Sequence, residues 1–313
     1  MNSKQKTIYI TGVSGFIGSR LAKLCLECGY KVIGIARSLS SRTISQELGI
    51  DVIEADLNDK NELVLETAEA IIHCATANDI LSKNMNEGLS LSIIGTSKLL
   101  KASRIAKISN VIFFSTAQVY GTELNGYFDE TSPIDCKSPY GINHHLGEEL
   151  CKFYCNTQDF NITVLRPSNV YGVPETSTVN RNTLVPMCFV DEAINFKTIT
   201  LRSSGKQLRN FISIDQLAEV VLKTIKNFPK GFSLRNCGSN FYPSMLEIAN
   251  IVSKQYQSHY KEKLFINIEG NQPKTSNIFE YGSKFGKNLY TEKKCIIELE
   301  NVISNLFKLW KKN

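Results

Sequence analysis

"TIYITGVSGFIGSR" (Thr7–Arg20) runs from a β-branched segment through three glycines into an apolar helical pattern. A strand feeding a glycine turn and then a helix opens a dinucleotide-binding sheet, and the spacing of Gly12, Gly15 and Gly18 fits that unit. Gly12 can make the tight turn, Gly15 lets the backbone approach a pyrophosphate, and Gly18 lets the helix pack closely on the strand. The helix opens at Phe16 and Ile17, where unpaired N–H groups would face the anion. An ordinary strand-to-helix turn can also carry glycines, but here strand, loop and helix come in the required order.

Outward from this unit the pattern repeats. Runs rich in Val and Ile stand at Lys31–Ala36, Asp51–Asp56, Ala70–Ala75, Asn110–Ser115 and Ile162–Pro167, with helical patterns near Gly88–Lys107 and after Pro139. Strands that are apolar without alternation are covered on both faces. The expected fold is therefore α/β, a Rossmann-type doubly wound parallel sheet over residues 1–173. From about Pro174 longer polar stretches surround the apolar runs, so 174–313 is expected to form mainly a smaller C-terminal substrate-binding lobe, with some segments returning to the sheet.

Composition excludes several classes. The 313 residues are 42% hydrophobic and 21% charged, as in an ordinary globular protein. The net charge of +6 is spread along the chain with one dense cluster, "FKLWKKN", at the end, which argues against a nucleic-acid groove. Nine dispersed cysteines do not make a disulfide framework, and "CLEC" (Cys25–Cys28) lies inside a helix pattern rather than at a helix start. The four histidines lack metal-ligand spacing, so no metal is expected. No apolar run approaches the ~20 residues of a membrane span, and no signal peptide is read before the first strand; a cytosolic protein without a membrane partner is expected.

The end of the second strand bears on the dinucleotide. An acidic residue there would bind the ribose 2′-hydroxyl of NAD. Ala36, Arg37 and Ser38 stand there instead, and an arginine suits a 2′-phosphate, so NADP(H) is favoured with NAD(H) as the alternative. Asp56 could accept the adenine amino group or cap a helix.

Six stretches in order, "TGVSGFIG", "HCATA", "FFSTAQVYG", "PYGINHHLGEEL", "LRPSNVYG" and "LRNFISIDQLAEVVL", together resemble the extended short-chain dehydrogenase/reductases, in particular the nucleotide-sugar epimerases, dehydratases and reductases. The resemblance runs from about Thr7 to Leu222. It implies that Thr116 bonds the reacting sugar oxygen and that Tyr140 transfers the proton while hydride passes between sugar and nicotinamide. It also implies cofactor contacts from Leu57 and Ala75, contacts to a nucleotide diphosphate from Asn169 and Arg209, and a homodimer through two long helices. The partner would be a nucleotide-diphosphate sugar.

The family's Y-x-x-x-K spacing puts a lysine at position 144, where this chain has His144. That lysine bonds the nicotinamide ribose and lowers the phenol pKa; a neutral imidazole can do the first and barely the second. Reduction needs a protonated tyrosine, which an untuned phenol already is, so the substitution harms reduction less than oxidation. The sequence thus points to an NADPH-dependent reductase of a keto-sugar nucleotide. The alternatives are an epimerase with tightly bound cofactor, and a catalytically impaired dinucleotide-binding regulatory or scaffold protein. Ala117 and Gln118 replace the Asp-Glu pair of the related 4,6-dehydratases and cannot transfer protons as that pair does. His145, on an adjacent helix position, is expected to turn away from the site. His73 is expected to be a satisfied residue at a strand end.

Overall fold

Segments apolar on both faces find satisfaction only between two helical layers. The computed structural model describes residues 5–177, 179, 181–270, 279–285 and 290–310. In chain order the elements are β1 (Thr7–Thr11), α1 (Phe16–Glu27), β2 (Lys31–Ala36), α2 (Ser38–Leu48), β3 (Asp51–Glu54), β4 (Ala70–His73), α3 (Met85–Leu89), α4 (Thr96–Ile105), β5 (Asn110–Phe114), β6 (Gly126–Phe128) and α5 (Pro139–Gln158). There follow β7 (Asn161–Pro167), β8 (Asn169–Tyr171), α6 (Met187–Phe196), β9 (Thr198–Leu201), β10 (Phe211–Ser213), α7 (Ile214–Lys226), β11 (Phe232–Cys237), α8 (Met245–Tyr260), β12 (Phe265–Ile268), β13 (Phe279–Tyr281) and α9 (Glu292–Trp310).

Seven parallel strands form the central sheet in the order β11-β7-β5-β4-β1-β2-β3. The order reverses between β1 and β4, and an α/β sheet opens a ligand crevice beyond the strand ends at such a point. Alternation along β1 sends Ile8 and Ile10 into the layer with α1 and α7, while Tyr9 enters the layer with α4 and α5. A separate apolar core, including Met187, Val190, Ile248, Val252, Ile303 and Phe307, joins α6, α8 and α9.

Three short parallel pairs, β8 with β10, β9 with β12 and β6 with β13, stand outside the main sheet. From the later part of the chain, β11 pairs with β7 at the edge of the central sheet and α7 packs beside α1. The helical pattern near Gly88–Lys107 is not one regular helix: a wide π turn at Ser90–Gly95 separates α3 from α4. Such a turn inserts a residue and rotates the face the helix presents. No described helix is long and apolar enough to cross a membrane.

Candidate active site

The glycine loop lies at the β1–β4 crevice. Gly12 has φ +65, and a Cβ on Gly18 would stand 2.3 Å from the Gly12 carbonyl oxygen, so only glycine allows α1 to seat on this loop. Gly15 is the N-cap of α1 and offers no side chain to its first-turn N–H groups, which leaves them for an anion. Phe16 and Ile17 open that turn, and their side chains pack into the apolar cores. Across the crevice the Ala75 N–H donates to Thr11 Oγ1 at 3.1 Å. The same hydroxyl meets His73 Nδ1 at 2.7 Å, and His73 Nε2 meets Thr96 Oγ1 at 3.0 Å. His73 is thus a satisfied, buried strand-end residue.

Arg37 is the N-cap of α2 and leaves its first turn without a side-chain cap. The Ser38 side chain lies outside the described residues. Asp56 does not cap a helix; its Oδ1 accepts the Asn58 N–H at 2.9 Å in a local turn, leaving Oδ2 for an external donor. Leu57 is buried beside the close approach of Gly95.

The proton-transfer pair is built from two chain turns. Thr116 follows β5 and caps a 3₁₀ turn, Ala117–Tyr120, accepting the Gln118 N–H at 3.2 Å. Ser138 caps α5 by accepting the Gly141 N–H at 3.1 Å, with Pro139 in the first helical position. A Cβ on Gly141 would sit 2.7 Å from the Gln118 carbonyl, so this glycine lets the helix start rest on the turn. Tyr140, in the first turn of α5, is thereby brought near the turn that carries Thr116. Burial raises the Tyr140 pKa above its ordinary value; Thr116 and Arg181 act against that, and Asp79 acts with it.

His144 follows one turn later, its ring 4.5 Å from that of Tyr140 between centroids and at 71°. Burial pushes its pKa down to about 4, and Glu148 only partly opposes this. The carbonyls of Phe114 and Ala77 lie near the ring, but neither nitrogen has a hydrogen-bond partner. A neutral imidazole with two orphaned nitrogens suits a pair of sugar hydroxyls, so the site fits the ribose of a dinucleotide. It cannot supply the charge that a lysine would. His145 turns away from Tyr140, with Nδ1 3.5 Å from Glu148.

Both buried histidines lower stability in acid. The unfolded chain binds their protons near pH 6.5, whereas the folded protein holds His144 near 4 and His73 near 3. Between those values the unfolded state carries more protons, so stability falls by about 1.4 kcal/mol per pH unit for each histidine as pH drops below ~6.5. The thermal midpoint is expected to fall between pH 7 and pH 5; a flat profile would show the histidines to be charged or exposed.

Beneath the site a buried ion pair ties α5 to the sheet. Arg166 on β7 donates Nε to Glu148 Oε1 at 2.7 Å and Nη2 to Oε2 at 2.5 Å. Ser115 also donates to Glu148, and Arg166 Nη1 donates to the Tyr120 hydroxyl at 2.7 Å, which donates to Asn236 at 2.8 Å. Burial opposes both charges, but the paired hydrogen bonds hold Glu148 below and Arg166 above its ordinary value. An arginine inside an apolar strand was the available sequence signal for this network.

On the substrate side, the parallel pairing of β8 and β10 brings Asn169 and Arg209 to one edge. Asn169 Nδ2 donates to the Asn210 carbonyl at 2.9 Å, and Arg209 Nη1 reaches the Leu208 carbonyl at 3.3 Å. Arg209 does not pair with Asp215, which binds Arg20 Nε at 2.7 Å. Burial lowers the Arg209 pKa and Glu123 opposes this. The sequence reading missed Arg181 and Asp79, which meet at 3.1 Å near Tyr140 from two irregular segments with no motif. A cavity of about 710 Å³ between α1, the chain after β8 and α9 lies outside this constellation. Among the described residues no cluster of three His, Cys, Asp or Glu could hold a metal.

The model of the NAD dependent epimerase/dehydratase family matches residues 8–236, and the chain belongs to this family, whose members are of the extended short-chain type. A putative UDP-glucose 4-epimerase of Methanocaldococcus jannaschii is 27% identical over 79% of this chain and 82% of its own length. The dTDP-D-glucose 4,6-dehydratase of Bos taurus is 28% identical over 79% of this chain and 72% of its own. Among solved structures, the Bacillus cereus UDP-glucuronic acid 4-epimerase in complex with NAD superposes with a TM-score of 0.78 at 21% identity, covering 96% of this chain and 99% of that one. The central sheet and its layers are those of that fold.

Proposed function

We propose that the protein is a nucleotide-sugar 4-epimerase that works on a retained NAD(H) and acts on a UDP-hexose. The observation that carries this reading is the start of α5, with Tyr140, resting on the turn that carries Thr116, with Ala117 and Gln118 next to Thr116 in place of an acid pair. The epimerase relatives support it, and the absent acids weigh against a 4,6-dehydratase despite the bovine relative. NAD, when bound, takes up and returns the hydride. Tyr140 removes the proton of the sugar hydroxyl with Thr116 holding that oxygen, and gives it back after the sugar has turned over. His144 would bond the nicotinamide ribose, the Gly12–Gly18 loop the pyrophosphate, Asp56 and Leu57 the adenosine, and Asn169 and Arg209 the nucleotide diphosphate of the substrate, with the lobe of α6, α8 and α9 on the sugar side.

The NAD-bound Bacillus cereus epimerase favours NAD, and an arginine at the end of β2 can stack on adenine as well as pair with a phosphate. Keto-sugar reduction with NADPH remains a second reading, resting on Arg37 and on the neutral His144. All nine cysteines are free, which supports a reducing, cytosolic setting. Exposed Ile94, Ile105 and Phe153 on the helices around α4 and α5 support a homodimer there. The protein as purified, incubated with UDP-glucose and no added cofactor, is expected to form UDP-galactose by NMR. Stoichiometric oxidation of NADPH by a 4-keto-sugar nucleotide, without epimerisation of any UDP-hexose, would transfer the assignment to the reductase. Cofactor binding without turnover of either kind would assign a regulatory role.

A further inference from the structure

We propose that His73 is a positioning residue for the dinucleotide: it joins Thr11 on β1 to Thr96 on α4 and so sets how the glycine loop stands against the loop after β3. The inference rests on those two loops holding a dinucleotide, as the function proposed above requires, and not on which reaction the bound cofactor serves. Both ring nitrogens are engaged inside the protein, with Nδ1 2.7 Å from Thr11 Oγ1 and Nε2 3.0 Å from Thr96 Oγ1. His73 is 1% exposed and both threonines are fully buried, so the ring itself is closed to a ligand. Its effect passes through the groups it holds.

Strand register brings the three side chains together. Thr11 and His73 are partners at the ends of two neighbouring parallel strands, so their side chains leave the sheet on the same face. Tyr9 and Ile71, two residues back on each strand, enter the layer with α4 and α5, and Thr96 opens α4 in that layer. Phe113, the partner of His73 on β5, packs on the ring at 5.6 Å between centroids. Burial pushes the imidazole pKa down to about 3, so the ring is neutral. A neutral ring carries one donor and one acceptor, and either tautomer can bridge two hydroxyls.

On the glycine-loop side the bridge ends in a close backbone approach. Thr11 Oγ1 also accepts the Ala75 N–H at 3.1 Å, and the Cys74 N–H donates to the Thr11 carbonyl at 3.3 Å. A Cβ on Gly12 would stand 2.9 Å from the Ala75 nitrogen, so the first glycine of the loop lies against the peptide that Thr11 holds. Without His73 the Thr11 hydroxyl is free to rotate, and the Ala75 N–H loses a fixed acceptor.

On the other side, α4 carries the loop after β3. Lys98, two residues after Thr96, donates Nζ to the Asp56 carbonyl at 3.0 Å. Gly95, one residue before Thr96, lies so close to that loop that an added Cβ would meet the Leu57 Cβ at 3.1 Å. Thr96 therefore stands between the two contacts that fix Asp56 and Leu57, and His73 links it by hydrogen bonds to β1. The two sides of the dinucleotide crevice are keyed to each other through one imidazole.

Amide hydrogen exchange by NMR and the replacement of bound NAD by added isotope-labelled NAD test this without a turnover assay. A wild-type protein that inverts no sugar would sink the epimerase reading alone. His73→Leu is expected to speed exchange of the Ala75 amide about tenfold, with Ile10 and Ile72 deeper in the same strands at wild-type rates, and to speed NAD replacement about tenfold. Thr11→Val, which removes the hydroxyl and nearly keeps the shape, should do as much, and Thr11→Ser should stay near wild type. The double variant should replace NAD no faster than either single one, because both changes cut the same link. Wild-type NAD replacement in His73→Leu, or single effects that multiply in the double variant, overturns the proposal. A uniform rise in amide exchange along β1 and β4 also overturns it, since His73 would then serve global stability. Thr96→Val, which cuts the α4 end of the bridge, decides by the same two readouts should His73→Leu not fold.

Discussion

Tyr140→Phe is expected to reduce turnover by about 10²–10⁴-fold while leaving the fold and dinucleotide binding in place. The ring contact with His144 survives the loss of one hydroxyl, so the 4.5 Å packing on α5 remains. What disappears is the phenol hydroxyl, and with it the exchange of the sugar proton. Thr116→Val should cost less, because it removes the alignment of the oxygen and keeps the acid-base group. Turnover measured with a UDP-hexose, next to the dinucleotide released on denaturation, separates chemistry from binding. A Tyr140→Phe protein with near wild-type turnover would remove Tyr140 from the mechanism.

The second large effect is on stability. Arg166→Met leaves Glu148 buried without its bidentate partner, and breaking one side of such a pair costs about 3–5 kcal/mol. The thermal midpoint is then expected to drop by roughly 6–15 °C. Replacing both charges, Glu148→Leu with Arg166→Met, is expected to recover part of that loss, because no ion is then stranded in the interior. The sign of the pH dependence follows from the direction of the Glu148 shift. Its folded pKa is depressed, so the stabilisation is complete above the ordinary carboxylate value and is lost as pH falls through the folded value. A double replacement less stable than Arg166→Met alone would contradict this description of the pair.

The sheet was legible because its strands read as unbroken Val and Ile runs: Lys31–Ala36 coincides with β2, and Asn110–Ser115 overruns β5 by one residue. The strand, glycine loop and helix at Thr7–Arg20 left little choice for the β1–β4 crevice. Short pairs such as β6 with β13 and β8 with β10 escaped a pattern-based reading, since three residues hold no period and their partners lie far along the chain. Helix α6 was also missed, because Met187–Phe196 follows a long polar stretch without a side-chain cap.

At the site, Thr116 lies in the turn after β5 and Tyr140 in the first turn of α5, and Gly141 lets those two turns approach, so both follow from elements that the sequence specifies well. Arg181 and Asp79 do not belong to any such element. Their meeting depends on how two loops are tied down, through Glu47, Asp191 and Asn78. The preference for NADP drawn from Arg37 shows the same limit. A single guanidinium at a strand end suits either a phosphate or an adenine face, and the choice belongs to surrounding groups that a linear reading does not bring together.

A hydride that leaves C4 of the sugar and returns to the same carbon on a cofactor that stays bound is the centre of this account. UDP-glucose deuterated at C4, given to the protein as purified together with free unlabelled NAD and NADP, tests it most directly. The account predicts deuterium at C4 in both UDP-glucose and UDP-galactose at equilibrium, with none in the free dinucleotides. Deuterium passing into the free dinucleotides at the pace of turnover, or the absence of any C4 inversion, would contradict it.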